Sequence, residues 1–169
     1  SPRTRAAFDA GPVDPAAEAA KLVPFLPARL GAFAATGPAM PVGILGPVIE
    51  ARRAYTDASG RDADVRLATG DVSADLGTLD SDDEHAFGSD TPTYWRTTAI
   101  GGHRTRIGEE RPTPRSSTCV VRVGPSHIAD VWVSPVTTVG ECAKVAALLD
   151  FAGIAASGGV PGPPAPSRR

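Results

Sequence analysis

The sequence contains no asparagine and no glutamine, and only 5% of its residues are aromatic. Without asparagine, no Asn-linked glycosylation site can exist, and a binding site has to form without carboxamide groups. With so few aromatic residues, a stacking platform for nucleic-acid bases is not expected. The net charge of −2 gives no field that would attract nucleic acid or an anionic membrane. We therefore expect no nucleic-acid partner.

The motifs of common enzyme classes are also absent. The sequence has no G-x-S-x-G nucleophile elbow, no Cys-x-x-Cys pair and no Gly-rich phosphate loop with a Lys-Ser/Thr pair. The stretch "GPSHIAD" places Ser126 beside His127, with Asp130 nearby. Neighbouring residues on a strand point to opposite faces, so these residues do not predict a catalytic triad. We expect a non-enzymatic protein without a cofactor.

Long apolar runs are missing too, since no stretch reaches the roughly 18 apolar residues that a transmembrane helix needs. Ala, Gly, Pro, Arg and Asp are abundant whereas only two lysines occur, a bias typical of a GC-rich bacterial genome. The only methionine is Met40, so a cleaved signal peptide is one explanation for a chain that starts at Ser1. We expect an extracytoplasmic protein, located in the periplasm or cell envelope of a bacterium.

The order of the predicted elements is a helix, a group of strands and a second helix. Asp14 is a suitable N-cap for a short helix that starts at Pro15. Thr138 and Glu141 form a capping box that predicts a C-terminal helix over residues 138–153. Between them, alternating patterns and Gly-containing turns predict strands at 48–56, 64–69, 93–100, 103–110, 117–123 and 127–134.

This order predicts an α+β fold. We expect a single antiparallel sheet of about six strands, with the C-terminal helix packed on one face and a short N-terminal helix. An all-β sandwich is the alternative, but it leaves the apolar stripe of the last helix unexplained. The chain of 169 residues is the size of one domain. The predicted parts are an irregular arm over 1–14, one domain over 15–156 with an acidic loop insert over 70–92, and a flexible Pro/Gly-rich tail over 157–169.

The acidic stretch "LGTLDSDDEHAFGSD" holds the densest group of candidate ligands. Counted from Asp80, the sixth residue is not Gly and the twelfth is not Glu, so the stretch does not match an EF-hand loop. We interpret it as a solvated loop. Two alternatives stay open: a docking surface for a basic partner that uses Asp82, Asp83 and Glu84, and an irregular calcium site that uses Asp80, Asp82 and Glu84.

Arginine and tryptophan residues on the predicted strands are further candidates for binding. Arg104 and Arg106 share one strand face and form a candidate basic patch for an anion or an acidic partner. A solvated face balanced by neighbouring glutamates is the alternative. Trp95 and Trp132 are expected to pack in the core, and the alternative is a partly exposed aromatic residue at an interface.

One of the two cysteines lies on a predicted strand and the other on the predicted C-terminal helix. Cys119 shares a strand face with Val121 and Val123, and Cys142 lies on the apolar stripe of the last helix. If that helix packs on that face, the two residues form a disulfide in an oxidising compartment. The alternative is a pair of small buried hydrophobic side chains.

Five segments follow each other in a recognisable order: "LVPFLPARLGAF", "ARRAYTDASG", "YWRTTAIGGHRTR", "CVVRVGPSHIADVWV" and "VAALLDFAGIA". This order resembles a diffuse group of small, mostly uncharacterised bacterial proteins that are exported or lipid-anchored. The resemblance covers about residues 22–156 and implies a PsbP-like α+β domain. It brings no catalytic residues to this chain.

The function that we expect is that of a non-enzymatic accessory or binding subunit of a larger bacterial envelope or membrane-associated complex. Its partner is then a protein, and membrane association comes through that partner or a lipid anchor. The expected contact residues are those of the acidic loop and of the hairpin that carries Arg104 and Arg106. The alternative is a small-ligand or calcium-binding extracytoplasmic domain that uses the open face of the sheet.

Overall fold

The computed structural model describes residues 13–42, 48–80, 86–87, 93–110 and 114–160. Within these ranges, ten strands form one antiparallel sheet. Six of the strands are long, and four have only two or three residues. The strands are β1 (Arg29–Leu30), β2 (Phe33–Ala35), β3 (Met40–Val42), β4 (Val48–Thr56), β5 (Asp62–Gly70), β6 (Ala86–Phe87), β7 (Thr93–Ile100), β8 (His103–Glu110), β9 (Ser117–Arg122) and β10 (His127–Ser134).

The strands follow the order β1-β2-β4-β5-β10-β9-β8-β7-β6, and β3 also pairs with β4. The pairs β4–β5, β7–β8 and β9–β10 join strands that follow each other in the chain. β5 and β10 are far apart in the chain but pair along their whole length, with Val65 opposite Val131. Because both strands lie near the centre of the sheet, the residues that alternate along them decide what each face presents.

The predicted α+β fold with a sheet of about six strands is wrong, because the chain has a mainly β fold with a larger sheet. The six predicted strands are present as β4, β5 and β7 to β10. The sequence pattern did not indicate β1, β2, β3 and β6, since two or three residues cannot show a period of two. Such short strands depend on their partner strands more than on their own sequence.

Two helices lie in the first half of the chain: one precedes all the strands, and the other follows β5. α1 (Pro15–Leu22) confirms the predicted N-terminal helix, and the Asp14 carboxylate caps it by accepting a hydrogen bond from the Ala16 N–H at 3.0 Å. α2 (Ser73–Asp80) lies in the stretch that the sequence predicted to be an acidic loop. Its Leu79 is fully buried in a small apolar cluster on the sheet, so apolar packing contributes to holding this helix in place.

The predicted C-terminal helix over residues 138–153 is also wrong. Two short helices, α3 (Glu141–Ala146) and α4 (Phe151–Ala156), occupy this part of the chain. The helix is interrupted because Asp150 is the N-cap of α4, and its carboxylate accepts a hydrogen bond from the Gly153 N–H at 2.9 Å. Gly153 therefore lies inside the second helix and is not the predicted stop.

The start of α3 differs from the predicted capping box. Its N-cap is Gly140, whose φ of 80° is in the left-handed region that favours glycine. The Gly140 N–H donates to the Glu109 carboxylate of β8 at 2.8 Å. Thr138 caps no backbone group, although its hydroxyl donates to the Glu141 carboxylate.

The two faces of the sheet are covered to different extents. One face packs against α1, α3 and α4 and holds the main core, which includes Leu22, Leu67 and Ile154. The opposite face, called the open face here, carries α2 and a smaller cluster that includes Ala68 and Leu79. Leu67 and Ala68 are neighbours on β5 but belong to different clusters, as the alternation of a strand requires.

The predicted disulfide is confirmed. The sulfur atoms of Cys119 on β9 and Cys142 on α3 lie at the bonding distance of 1.99 Å, and the bridge spans 23 positions of the chain. Cys142 also donates its backbone N–H to the Ser117 hydroxyl at 3.2 Å. The bridge and this hydrogen bond attach α3 to the middle of the sheet.

Replacing both cysteines, in C119A/C142A, is expected to lower the free energy of unfolding by about 3 kcal/mol, because the bridge closes a long loop in the unfolded chain. Urea unfolding of the oxidised wild type and the double variant measures this difference. Reduced wild type is the control and should unfold at a midpoint close to that of the variant. Equal midpoints for the oxidised wild type and the variant would contradict the expectation.

Residues 157–160 follow α4 and hydrogen-bond to the end of the sheet. The Val160 N–H donates to the Thr69 hydroxyl at 3.0 Å, and the Gly70 N–H donates to the Val160 carbonyl at 3.1 Å. A Cβ atom on Gly159 would lie 2.6 Å from Cε1 of His127, so only glycine fits at this close approach. The sequence placed these residues in the predicted tail, and residues 161–169 lie outside the described ranges.

Candidate functional site

An open groove of about 460 Å³ lies on the open face, beside the part that α2 covers. We call it the open-face groove. It crosses β4, β5, β10 and β9, which are adjacent in the sheet. Its lining residues are Arg52, Asp64, Arg66, Thr118, Asp130 and Trp132.

Strand alternation brings the groove residues together. On β5, Asp64 and Arg66 alternate with Val65 and Leu67, which face the main core. The antiparallel register sets Trp132 opposite Asp64 and Asp130 opposite Arg66. The sequence contains this signal as charged or aromatic residues that alternate with apolar residues on two strands, Asp64 with Arg66 on β5 and Asp130 with Trp132 on β10. The pattern alone does not predict a site, because nothing in the sequence shows that β5 and β10 pair.

Arg66 is the most connected residue of the groove. Its guanidinium forms a hydrogen bond and salt bridge with Glu50 of β4. It also donates two hydrogen bonds of 3.4 Å to Asp75 of α2. One Asp130 carboxylate oxygen of β10 lies 3.7 Å from its Nη1 atom. One cation therefore joins two strands and the helix on the open face to β5.

The pKa values of two groove residues, Asp130 and Arg66, are shifted from their ordinary values. Burial raises the pKa of Asp130 to about 6, although the charge of Arg66 lowers it and that of Asp75 raises it. Burial disfavours the Arg66 cation, but its hydrogen bond to Glu50 and the charge of Asp75 outweigh burial and raise its pKa. Arg66 therefore stays charged, while the pKa of Asp130 lies above the usual range of an aspartate.

The two tryptophans have different environments. Trp95 on β7 packs over Gly108 in the smaller cluster of the open face, in line with the expected core packing. Trp132 does not follow that expectation, since it is 39% exposed on β10, the middle strand of the sheet order. Its indole lines the groove and is partly exposed, and a role at an interface stays a prediction.

The groove continues into a second depression of about 290 Å³ toward β3. The two depressions share Arg52 and Asp64. Met40 lines the second one and is 55% exposed. Together they form a trough that crosses the strands from Trp132 to Met40.

The arginines of the β7–β8 hairpin do not form one exposed patch. Arg106 is 1% exposed and donates to the Thr97 hydroxyl at 2.9 Å. Arg104 is exposed, and its Nε donates to the Leu79 carbonyl of α2 at 2.8 Å. Arg96 lies on the other face, where one of its nitrogens is 4.0 Å from the Glu109 carboxylate. Arg104 and Arg106 thus contact other parts of the chain, and their role in partner binding stays a prediction.

The acidic candidates fall mostly outside the described ranges. Asp82, Asp83 and Glu84 lie there, and Asp80 is the last residue of α2, with a side chain that is not described. The calcium site and the acidic docking surface therefore stay hypotheses. Among the described residues, no group of three His, Cys, Asp or Glu side chains is arranged to hold a metal ion.

His127 and Asp130 lie on opposite faces of β10, as alternation requires. His127 is 2% exposed under residues 157–160, and its Nε2 is 3.3 Å from the Ser157 hydroxyl oxygen. That hydroxyl donates to the Ile154 carbonyl, so the Nε2–H is the donor to it. Burial lowers the pKa of His127. This placement does not bring Ser126, His127 and Asp130 together.

Comparison with known proteins gives no match: no protein-family model, curated protein or solved structure corresponds to this chain. The resemblance to PsbP-like exported proteins therefore stays a prediction. None of the helices in the described ranges has the length and apolar content needed to cross a membrane. Functional inference thus depends on the groove and the disulfide.

Replacing Asp130 by asparagine is expected to change how stability depends on pH. The raised pKa means that the folded state binds a proton that the unfolded state releases between about pH 4 and pH 6. The stability contributed by this proton is complete below pH 4 and is lost as pH rises through 6. The free energy of unfolding of D130N, relative to wild type, should therefore rise over this window, by at most about 3 kcal/mol.

Urea unfolding of wild type and D130N at several pH values between 4 and 7.5 measures this difference. Taking the difference cancels the contribution of His127, which both proteins contain. D62N removes an exposed carboxylate from the start of β5 and should track wild type across the range. A difference between D130N and wild type that stays constant with pH would contradict the raised pKa of Asp130.

Proposed function

We propose that the protein is a non-enzymatic accessory subunit that works outside the bacterial cytoplasm. It docks through the open-face groove onto a partner protein in a larger envelope or membrane-associated complex. The observation that carries this proposal is the exposure of Trp132 on the middle strand, with Arg52 in the same groove. Tryptophan and arginine are enriched at protein interfaces and dominate their binding energy.

The cysteine pair supports the proposed compartment. Disulfides form and persist in oxidising compartments and are rare in the cytosol. Both cysteines are fully buried in the main core, so the bridge is part of the folded domain. Association with the membrane comes through the partner or a lipid anchor in this proposal.

The second candidate function is small-ligand binding in the same groove. Its volume of about 460 Å³ lies within the range of ligand pockets, about 300–1,000 Å³. Such pockets are concave and bury most of the ligand, whereas this groove runs on toward Met40. The extended shape favours a segment of a partner protein over a compact ligand.

Truncating the exposed indole, in W132A, is expected to release the protein from its complex. Native gel migration of tagged chains, extracted gently from the source cells, measures this, with co-migrating proteins identified by mass spectrometry. Wild type should migrate within a larger assembly, and W132A should migrate near its own mass of 17.3 kDa. Loss of an interface anchor costs 2 kcal/mol or more, about 30-fold in affinity.

The matched control is V139A, which truncates an apolar side chain that is 61% exposed and lies in the turn before α3. It should migrate with the wild-type assembly. Thermal unfolding of both variants checks that each is folded at the extraction temperature. Wild type that migrates alone would contradict the accessory role, and W132A that stays in the assembly would contradict docking through the groove.

A further inference from the structure

The charge of the groove indicates which chemical group it receives, provided that the groove is the docking site proposed above. Six charged residues meet in and around it, four carboxylates and two guanidinium groups, which gives a formal charge of −2. They are Glu50, Asp64, Asp75, Asp130, Arg52 and Arg66.

Both guanidinium groups already contact carboxylates of this chain. Arg66 contacts three carboxylates, and the Nε atom of Arg52 lies 3.3 Å from the Glu50 carboxylate. Asp64 is different, because the described residues provide its carboxylate with no hydrogen-bond or ion-pair partner. An anion in the groove would have to compete with these carboxylates for the two arginines. A cation, in contrast, meets the Asp64 carboxylate, which is available for pairing.

The aromatic ring beside Asp64 favours the same choice. Trp132 stands directly opposite Asp64 in the β5–β10 register. The face of an indole attracts ammonium and guanidinium groups, and a nearby carboxylate adds charge-assisted hydrogen bonds. The pair Asp64–Trp132 therefore suits an organic cation such as the side chain of arginine or lysine.

The trough sets the length of the bound segment. From Asp64 on β5 the trough crosses β4 to Met40 on β3, which is two strand spacings or roughly 10 Å. An extended chain covers this distance in about three residues. Met40 is 55% exposed at that end and offers an adaptable apolar contact.

We propose that the open-face groove binds an extended segment of the partner protein that carries arginine or lysine and, about three residues away, an apolar side chain. The cation pairs with Asp64 beside the indole of Trp132, and the apolar residue packs on Met40. This proposal rests on the proposed docking function and adds the chemistry of the partner.

Panning a random heptapeptide phage library against the full, oxidised chain tests this without knowledge of the partner. Enriched peptides should carry Arg or Lys with an apolar residue about three positions away. D64N should weaken the binding of an enriched synthetic peptide about tenfold, the equivalent of one charge-assisted hydrogen bond. E18Q removes a carboxylate from α1, which packs on the opposite face of the sheet, and should leave the affinity within about twofold.

The outcomes separate the two proposals. If enriched peptides need Trp132 for binding but have an acidic or neutral centre, the proposed basic segment is wrong. Docking of a partner in the groove would still be supported. Basic peptides that bind D64N as well as wild type would overturn the role of Asp64. If every enriched peptide binds W132A as tightly as wild type, both proposals are contradicted: docking through the groove and recognition of a basic segment.

Discussion

The guanidinium group of Arg66 meets carboxylates from three separate elements: Glu50 on β4, Asp75 on α2 and Asp130 on β10. β4 and β10 are the strands on either side of β5, and α2 is the helix on the open face. Without a central cation, these carboxylates would repel each other in a poorly solvated place. We infer that the position of α2, and with it the extent of the open face, depends on this cation in addition to the packing of Leu79.

The two faces of the sheet differ in how far other elements cover them. On one face α1, α3 and α4 complete the main core, and the Cys119–Cys142 bridge attaches α3 to it. Among the residues that the structure describes on the open face, the apolar contacts stop at α2, and beyond it lie Trp132 and charged side chains. An aromatic residue left exposed on a middle strand gains little for folding, whereas at an interface it supplies binding energy. This contrast is why we place the partner on the open face.

Local patterns in the sequence predicted the local structure but not the arrangement in space. The Asp14 cap, the six long strands and the cysteine pair follow from spacing and alternation. The sequence does not predict the break between α3 and α4 at Asp150, because an apolar stripe continues across it. An aspartate in such a stripe is compatible both with a helix interior and with an N-cap. The groove was missed because Asp64 and Trp132 lie far apart in the chain and meet only through the β5–β10 register. The exposure of Trp132 also depends on which elements pack over the open face, and the pattern of β10 alone does not show this.

Amide hydrogen exchange along α2, compared between wild type and R66M, tests most directly whether Arg66 fixes the open face. R122M, a variant of β9 whose side chain alternates onto the same face, is the matched control. The account predicts faster exchange across Ser73–Asp80 in R66M alone, with a loss of about 3 kcal/mol in the free energy of unfolding. Equal protection of α2 in R66M and R122M would contradict it, because α2 would then be held by apolar packing without the ion cluster.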